Sequence, residues 1–268
     1  MSDLALTKIR GQTPFIPFIP FYSVLTMDVN ITTLIDASQQ VKAWALQQKS
    51  SYVCVSNVHM CMEVYDDKAF SNVVNKADMV LPDGKPVALA LKLLGHSYAK
   101  QVRGADITIA LCTLAAHEGL TIGLYGGSEQ ALMDFQSTLK DRLPRIKIGC
   151  AISPPFRALS VDEDAAMINQ INDSGVHILF VGLGCPKQER WMAEHKGQIN
   201  AVMLGVGAVF DFLSGNKKEA PVWIQSIGME WLFRLCSEPR HLWKRYFKHN
   251  PRFVWFFGLQ LLRWKLRG

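Results

Sequence analysis

Short apolar, β-rich runs alternate along the chain with amphipathic stretches of helical period. The runs "SYVCVS" (51–56), "ADMVLP" (77–82), "LTIGLYG" (120–126), "RIKIGCAI" (145–152), "VHILFVG" (176–182) and "NAVMLGVG" (200–207) predict strands. Helical patterns fall near 33–48, 84–95, 104–118, 128–142, 161–173 and 187–197. Such alternation argues for parallel strands joined by right-handed crossovers, with ligands held beyond the strands' carboxyl ends. The expected fold is α/β, a Rossmann-like, mostly parallel sheet with flanking helices. The rhythm breaks around Lys217 to Trp223, where "NKKEAPVWIQ" is polar and carries Pro221. The remaining C-terminal stretch reads as two or three helices interrupted at Pro239 and Pro251. The pattern therefore divides the chain into an N-terminal arm (1–20), a core (21–222) and a C-terminal helical appendage (223–268). Pro14, Pro17 and Pro20, three apart, make the arm extended rather than helical.

Composition narrows the class. A chain of 268 residues, 49% of them hydrophobic, can bury a sizeable core. Its six cysteines form no C-x-x-C and no two histidines stand four apart, so no zinc-ligand pattern is present and the thiols read as reduced, cytosolic ones. The N-terminus offers no export signal, and no segment reaches the roughly 20 apolar residues of a spanning helix. The net charge of +6 is unevenly placed, because residues 234–268 hold nine Lys/Arg against the single acid Glu238. Trp243, Tyr246, Phe247, Phe253, Trp255, Phe256, Phe257 and Trp264 interleave with those cations. A basic, aromatic-rich helix of this kind suits the surface of an anionic membrane. It also suits packing on the core and, less well, stacking on single-stranded nucleic acid, which is not expected as a partner.

Three loops that come after predicted strands carry glycine: "LYGGSEQ" with Gly126 and Gly127, "VGLGCPKQE" with Gly182, Gly184 and Lys187, and "GVGAVFDFLSG" (205–215). Each would aim backbone N–H groups and a helix N-terminus at a diphosphate, although strand-to-helix turns often contain glycine for conformational reasons alone. A nicotinamide-dependent oxidoreductase competes for such loops, yet G-x-G-x-x-G is absent, since Lys187 and Phe210 take the third glycine's place. A membrane- or nucleic-acid-binding module without catalysis is the other alternative. Asp83 in "LPDGKP" ends a strand, where it serves either as a general base or as an Asp-Gly turn residue. Arg103 in "QVRGAD", just ahead of a helix start, suits a diphosphate or a carboxylated sugar. Asp162 and Asp164 form a D-x-D, but Ser160 and the helix they open account for them as helix-start acids. His59 and His195 are acid/base candidates or simply packed histidines.

Taken in order, "ADMVLPDGKPVALALKLLG", "RGADIT", "LYGG", "VGLGCPKQERWM", "GVGAVFDFLSG", "APVWIQSIGMEWLFRLCSEPR" and "KRYF" resemble the WecG/TagA/CpsF glycosyltransferase family, over about Val24 to Phe247. The resemblance implies transfer of a sugar from a UDP-sugar onto a polyprenyl-diphosphate-linked saccharide at the cytoplasmic membrane face, with inversion, without a metal or other cofactor, in cell-surface or exopolysaccharide synthesis. It implies Asp83 as general base, Gln188 as a polar active-site residue, and Asn57 and Asp211 near the substrate. It assigns Arg234, Arg240 and Arg245 of the appendage to the acceptor's diphosphate. The sequence departs from the family at Val55, with Ser56 beside it, where threonine is common, and at His59, where glutamate is common. These departures point to a subgroup with a different sugar or acceptor. A homo-oligomer is compatible with the family.

Overall fold

The computed structural model describes residues 18–217 and 219–267. Most of the arm, residues 1–17, lies outside them. The chain opens with an antiparallel hairpin, β1 (Phe21–Val24) and β2 (Met27–Asn30), which the sequence pattern does not mark. Next come α1 (Leu34–Leu46), β3 (Ser51–Ser56), α2 (Val58–Asp66), α3 (Lys68–Asn75), β4 (Met79–Pro82), α4 (Lys85–Leu93), α5 (Gly104–Glu118) and β5 (Thr121–Gly126). The second half runs α6 (Glu129–Arg142), β6 (Lys147–Ile152), α7 (Val161–Asp173), β7 (Ile178–Gly182), α8 (Lys187–His195), β8 (Val202–Gly205) and α9 (Val209–Leu213). Three helices close the chain: α10 (Val222–Ile227), α11 (Glu230–Ser237) and α12 (Pro239–Arg267).

All six predicted strands form one parallel sheet, in the order β4-β3-β8-β7-β5-β6. Because successive residues of a strand face opposite sides, each strand feeds two cores. Tyr52, Cys54, Val80, Leu179, Val181 and Met203 pack into one apolar cluster. Their neighbours Val53, Val55, Leu81, Phe180 and Leu204 pack into the other. Burial on both faces explains why β3, β4, β5, β7 and β8 read as continuous apolar runs, whereas β6, at the sheet edge, is half exposed. The fold is thus the α/β, Rossmann-like sheet that the alternation implies.

The hairpin and the C-terminal helix lie over the first of these faces. Val24, Met27 and Val29 join that cluster, as do Phe253 and Phe257 of α12. Gln260 of α12 accepts from the Leu25 N–H at 2.8 Å and donates to the Ser23 carbonyl at 2.8 Å, which ties the two ends of the chain together. Pro239 opens α12, but Pro251 does not end it, contrary to the expected interruption. A proline inside a helix forfeits one backbone hydrogen bond and crowds the preceding turn. Here burial of Phe253 and Phe257 and the two-pronged Arg252–Asp66 ion pair, at 2.8 and 2.6 Å, carry the helix through it. Among the described residues no helix is long and apolar enough to cross a membrane.

Candidate active site

The ends of β3 and β4 set two polar side chains next to each other. Asn57 caps α2 by accepting from the Met60 N–H at 3.2 Å, the usual duty of a residue that leaves a strand and starts a helix. The backbone N–H groups of Asp83 and Gly84 both donate to the Ser56 carbonyl, at 2.9 and 3.1 Å. This closes the two strand ends together. A Cβ on Gly84 would stand only 3.2 Å from the Asn57 Cα and Cβ, so the close approach needs glycine there. The Asp83 carboxylate then reaches across to α5, where its Oδ1 accepts from the Gly104 N–H at 2.8 Å. Arg103, at the N-cap just before α5, makes no side-chain cap, and Asp83 supplies one from the end of β4. Burial pushes the Asp83 carboxyl up to about 6, the Gly104 hydrogen bond opposes that rise, and nearby Glu230 adds to it.

Two cavities meet at Asp83. The first is a largely apolar groove of about 490 Å³ between α4 and α12, walled by Leu89, Leu93, Trp231, Phe253, Phe257 and Leu261. The second is polar and lies over the carboxyl ends of β3 and β8. Asn57, Asp83, Glu230, Arg234 and Arg245 line both. Arg103 lines the polar cavity, within ion-pair distance of Asp106 (3.5 Å), Glu219 (3.8 Å) and Glu230 (3.3 Å). Arg103, Arg234 and Arg245 each keep a buried Nε with no hydrogen-bond acceptor in line. Burial and the neighbouring Arg234 weaken the hold of Arg245 on its charge. Arg103 is already balanced by carboxylates, so Arg234 and Arg245 supply most of the guanidinium capacity that the polar cavity offers an anion.

The glycine loops are built differently from the expectation. Gln188, buried in the first turn of α8, accepts at its Oε1 from the N–H groups of both Gly184 and Gly207, each at 3.1 Å. The Gly127 N–H donates to the Gly182 carbonyl at 3.1 Å. These N–H groups are therefore satisfied within the protein, as buried donors must be, and are not free to cradle phosphate. Gln188 staples the loop after β7 to the loop after β8, and its own Nε2 donates to Glu189 at 2.7 Å. Gly184, Gln188 and Gly207 still line the polar cavity, whereas Gly126, Gly127 and Gly182 do not. The last three serve close packing: a Cβ on Gly126 would meet the Gly182 peptide at 2.6 Å, and one on Gly182 would meet the Phe210 ring at 2.7 Å.

The remaining candidates separate clearly. Val55 and Cys185 line the polar cavity, but Ser56 is fully buried and its hydroxyl donates to the Leu81 carbonyl at 2.7 Å. His59 borders the apolar groove. Lys187 is exposed at the start of α8, outside both cavities. Asp211 lies outside them too, 3.6 Å from Lys217, and Arg240 is exposed and lines neither cavity. His195 is buried under Trp191 and shares a 2.9 Å contact with Asp164. Ser160 forms a capping box with Glu163, so Asp162 and Asp164 sit in the first turn of α7 as helix-start acids. Sequence reasoning misses Glu219 and Glu230, which balance Arg103. It also misses Glu189, which is buried with its Oε2 unpartnered and its carboxyl pushed up by that burial. Glu189 and Glu230 lie within the quoted motifs and Glu219 directly before one, but position in a residue string does not show which glutamate folds against Arg103 or into the core.

A carboxylate and arginines beyond the carboxyl ends of an open parallel sheet, with an apolar groove beside them, stand where ligands bind in folds of this class. The sequence profile of the "Glycosyl transferase WecG/TagA/CpsF family" matches residues 22–267, and the chain belongs to that family. It is similar to the N-acetylglucosaminyldiphosphoundecaprenol N-acetyl-beta-D-mannosaminyltransferase of Bacillus subtilis (strain 168), 28% identical over 235 residues that cover 87% of each chain. Proteins of the same description from Bacillus spizizenii and Staphylococcus aureus (strain MW2) are 28% identical over 200 residues and 25% over 225. Those matches cover 74% and 83% of this chain, and 76% and 85% of the relatives. The chain is a glycosyltransferase, which removes the oxidoreductase and the non-catalytic module as readings.

Proposed function

We propose that the protein transfers a sugar from a UDP-sugar to a polyprenyl-diphosphate-linked saccharide, with inversion, in the synthesis of a bacterial surface or exported polysaccharide. The observation that carries this reading is the position of Asp83, at the junction of the arginine-lined cavity and the apolar groove. The donor's diphosphate would lie in the polar cavity near Arg103, and the acceptor's first isoprene units in the groove. Arg234 and Arg245 border both cavities and would face the acceptor's diphosphate. Relatives named for transfer to N-acetylglucosaminyldiphosphoundecaprenol support an acceptor of this chemistry.

In the reaction the acceptor hydroxyl attacks the anomeric carbon from the face opposite the leaving group. Its proton passes to the Asp83 carboxylate as the new C–O bond forms. The bond from the anomeric carbon to the diphosphate breaks, and the electron pair leaves with UDP. Charge builds on the diphosphate, where preorganised guanidinium groups stabilise it more than they stabilise the ground state. A base with a pKa of about 6 is largely ionised at neutral pH, yet more basic than an ordinary aspartate. Val55 places an apolar surface in the donor cavity where relatives often carry threonine, which favours a different sugar choice.

The exposed side of α12 and its neighbours would rest on the inner face of the cytoplasmic membrane. Trp243, Phe247, Val254, Trp255, Leu262 and Leu266 are all more than half exposed there, among Lys244, Lys248, Arg263, Lys265 and Arg267. To test the reading, UDP-sugars would be offered singly with a short-chain prenyl-diphosphate N-acetylglucosamine, with product mass and anomeric configuration as the readout. A single added hexose or N-acetylhexosamine with inverted configuration is expected. Absence of any lipid product across the panel, from folded protein, would sink it.

A further inference from the structure

Beside the groove, α2 and α12 bring together three side chains that the glycosyl-transfer chemistry does not use. His59 and Glu63 stand one turn apart on α2 and so share a face, and His249 meets them from α12. The Nε2 atoms of His59 and His249 lie 3.8 and 3.4 Å from the same carboxylate oxygen, Glu63 Oε1. The two rings meet edge to face with centroids 5.0 Å apart, and one ligand atom from each of the three residues falls within 4.8 Å of the others. Separations of this size are too long for strong hydrogen bonds. Each imidazole also keeps a buried Nδ1 without any partner. Two closely packed helices thus hold three converging side chains with polar capacity to spare.

We propose that His59, Glu63 and His249 bind one divalent transition-metal ion of the zinc class, which clips the C-terminal helix to the core. Zinc takes imidazole nitrogen and carboxylate oxygen at about 2.0–2.2 Å, and a tetrahedron of such bonds sets its ligand atoms about 3.3 Å apart. The observed 3.4 and 3.8 Å need only sub-ångström adjustment to reach it, while the third pair, within 4.8 Å, closes by up to about 1.5 Å through rotation of the imidazoles. Two histidines and one glutamate leave a fourth position for water. The surrounding cations oppose the ion only in part. Arg252 is paired with Asp66, and Lys248, 4.0 Å from Glu63, has a side chain 60% exposed that can turn to water. Arg245 remains as a like charge and lowers the affinity. No sequence spacing announces the site, because its second histidine comes from the far end of the chain. The clip is separate from the transfer chemistry and stands or falls independently of the donor and acceptor assigned above.

The test uses the full chain, stripped with a chelator, dialysed, and titrated with Co²⁺ under visible spectroscopy. One equivalent should develop the intense d–d bands of a four- or five-coordinate site, and one equivalent of Zn²⁺ should bleach them. His249→Gln and Glu63→Gln should each weaken Co²⁺ binding at least tenfold, while Asp162→Asn, on the exposed face of α7, should leave it unchanged. Because a substitution at this interface can disturb folding, the wild-type protein supplies a second readout. Zn²⁺ should slow amide hydrogen exchange in α2 and α12 and not in α6. Substoichiometric Co²⁺ uptake, equal binding by both ligand variants, or Zn²⁺ protection spread evenly over the chain would each overturn the proposal.

Discussion

The Asp83 carboxylate accepts a 2.8 Å hydrogen bond from the backbone N–H of Gly104, the first residue of α5. One side chain thereby caps a helix that starts 21 residues later and fixes its own position beneath the mouth of both cavities. The approach is close, since a Cβ on Gly104 would press on Val209 at 3.3 Å and touch Val55 at 3.5 Å.

Asp83→Asn keeps the acceptor for Gly104 and removes the base. Turnover should fall by about a hundredfold or more, while UDP affinity by calorimetry stays within a few-fold. Near-normal turnover with a verified acceptor would remove Asp83 from the role.

The same substitution should stabilise the fold at neutral pH. The folded carboxyl, at about 6, holds its proton more tightly than the unfolded one at 3.8. The folded state therefore binds more protons between those values, and stability falls as pH rises from about 4 to about 6, then levels. Replacing the carboxylate removes that cost, worth up to about 3 kcal/mol at pH 7. Thermal unfolding of both proteins at pH 4 and pH 7 checks it: the gap between variant and wild type should open only at the higher pH.

Much of this arrangement is legible in the sequence, for identifiable reasons. Five of the six strands are buried on both faces, so their apolar runs are unbroken, while the edge strand β6 is half exposed; the helices of 104–118 and 161–173 lie where their period puts them. The pattern leaves 57–76 without an element because Asp66 and Asp67 interrupt it. In fact Asp67 ends α2 and caps α3, accepting from Ala69 and Phe70 at 2.8 and 3.2 Å. Asp83, Asn57 and Gln188 could be picked out because they sit in motifs at strand ends. The direction of the glycine N–H groups could not, since a residue string does not say that Gln188 takes two of them. Nor does it say that Arg234 and Arg245 line the cavities while Arg240 lines neither.

Gln188→Ala should be costly for a reason unrelated to phosphate contact. It strands the Gly184 and Gly207 N–H groups together, at about 2–4 kcal/mol in all. Chemical denaturation should show that loss, and donor affinity should weaken as the two loops separate. A stability change under about 0.5 kcal/mol would mean that the staple is replaced by water.

The arginines of the C-terminal helices should divide by position. Arg245→Gln should raise the KM for the lipid acceptor at least tenfold, whereas Arg240→Gln, outside both cavities, should change it less than twofold. Equal effects would place the acceptor's diphosphate elsewhere.

Membrane attachment should depend on salt and on the exposed aromatics. Each cation near an anionic surface contributes about 1 kcal/mol, so cosedimentation with phosphatidylglycerol vesicles should be strong at low salt and lost at high salt. Replacing Trp243, Phe247 and Trp255 together with alanine should reduce it at least tenfold without altering UDP binding. Unchanged sedimentation would leave α12 as a cover for the core and nothing more.

The central claim is that Asp83 takes the acceptor's proton as the sugar leaves UDP. It is tested most directly by single-turnover transfer, with enzyme in excess over a prenyl-diphosphate acceptor and the accepted UDP-sugar saturating, followed by mass of the lipid product from pH 5 to 8. The wild-type rate should climb through an apparent pKa near 6 and then level. The Asp83→Asn rate should be at least a hundredfold lower and lack that inflection. A variant that turns over at the wild-type rate, or that keeps the same inflection, would contradict the account.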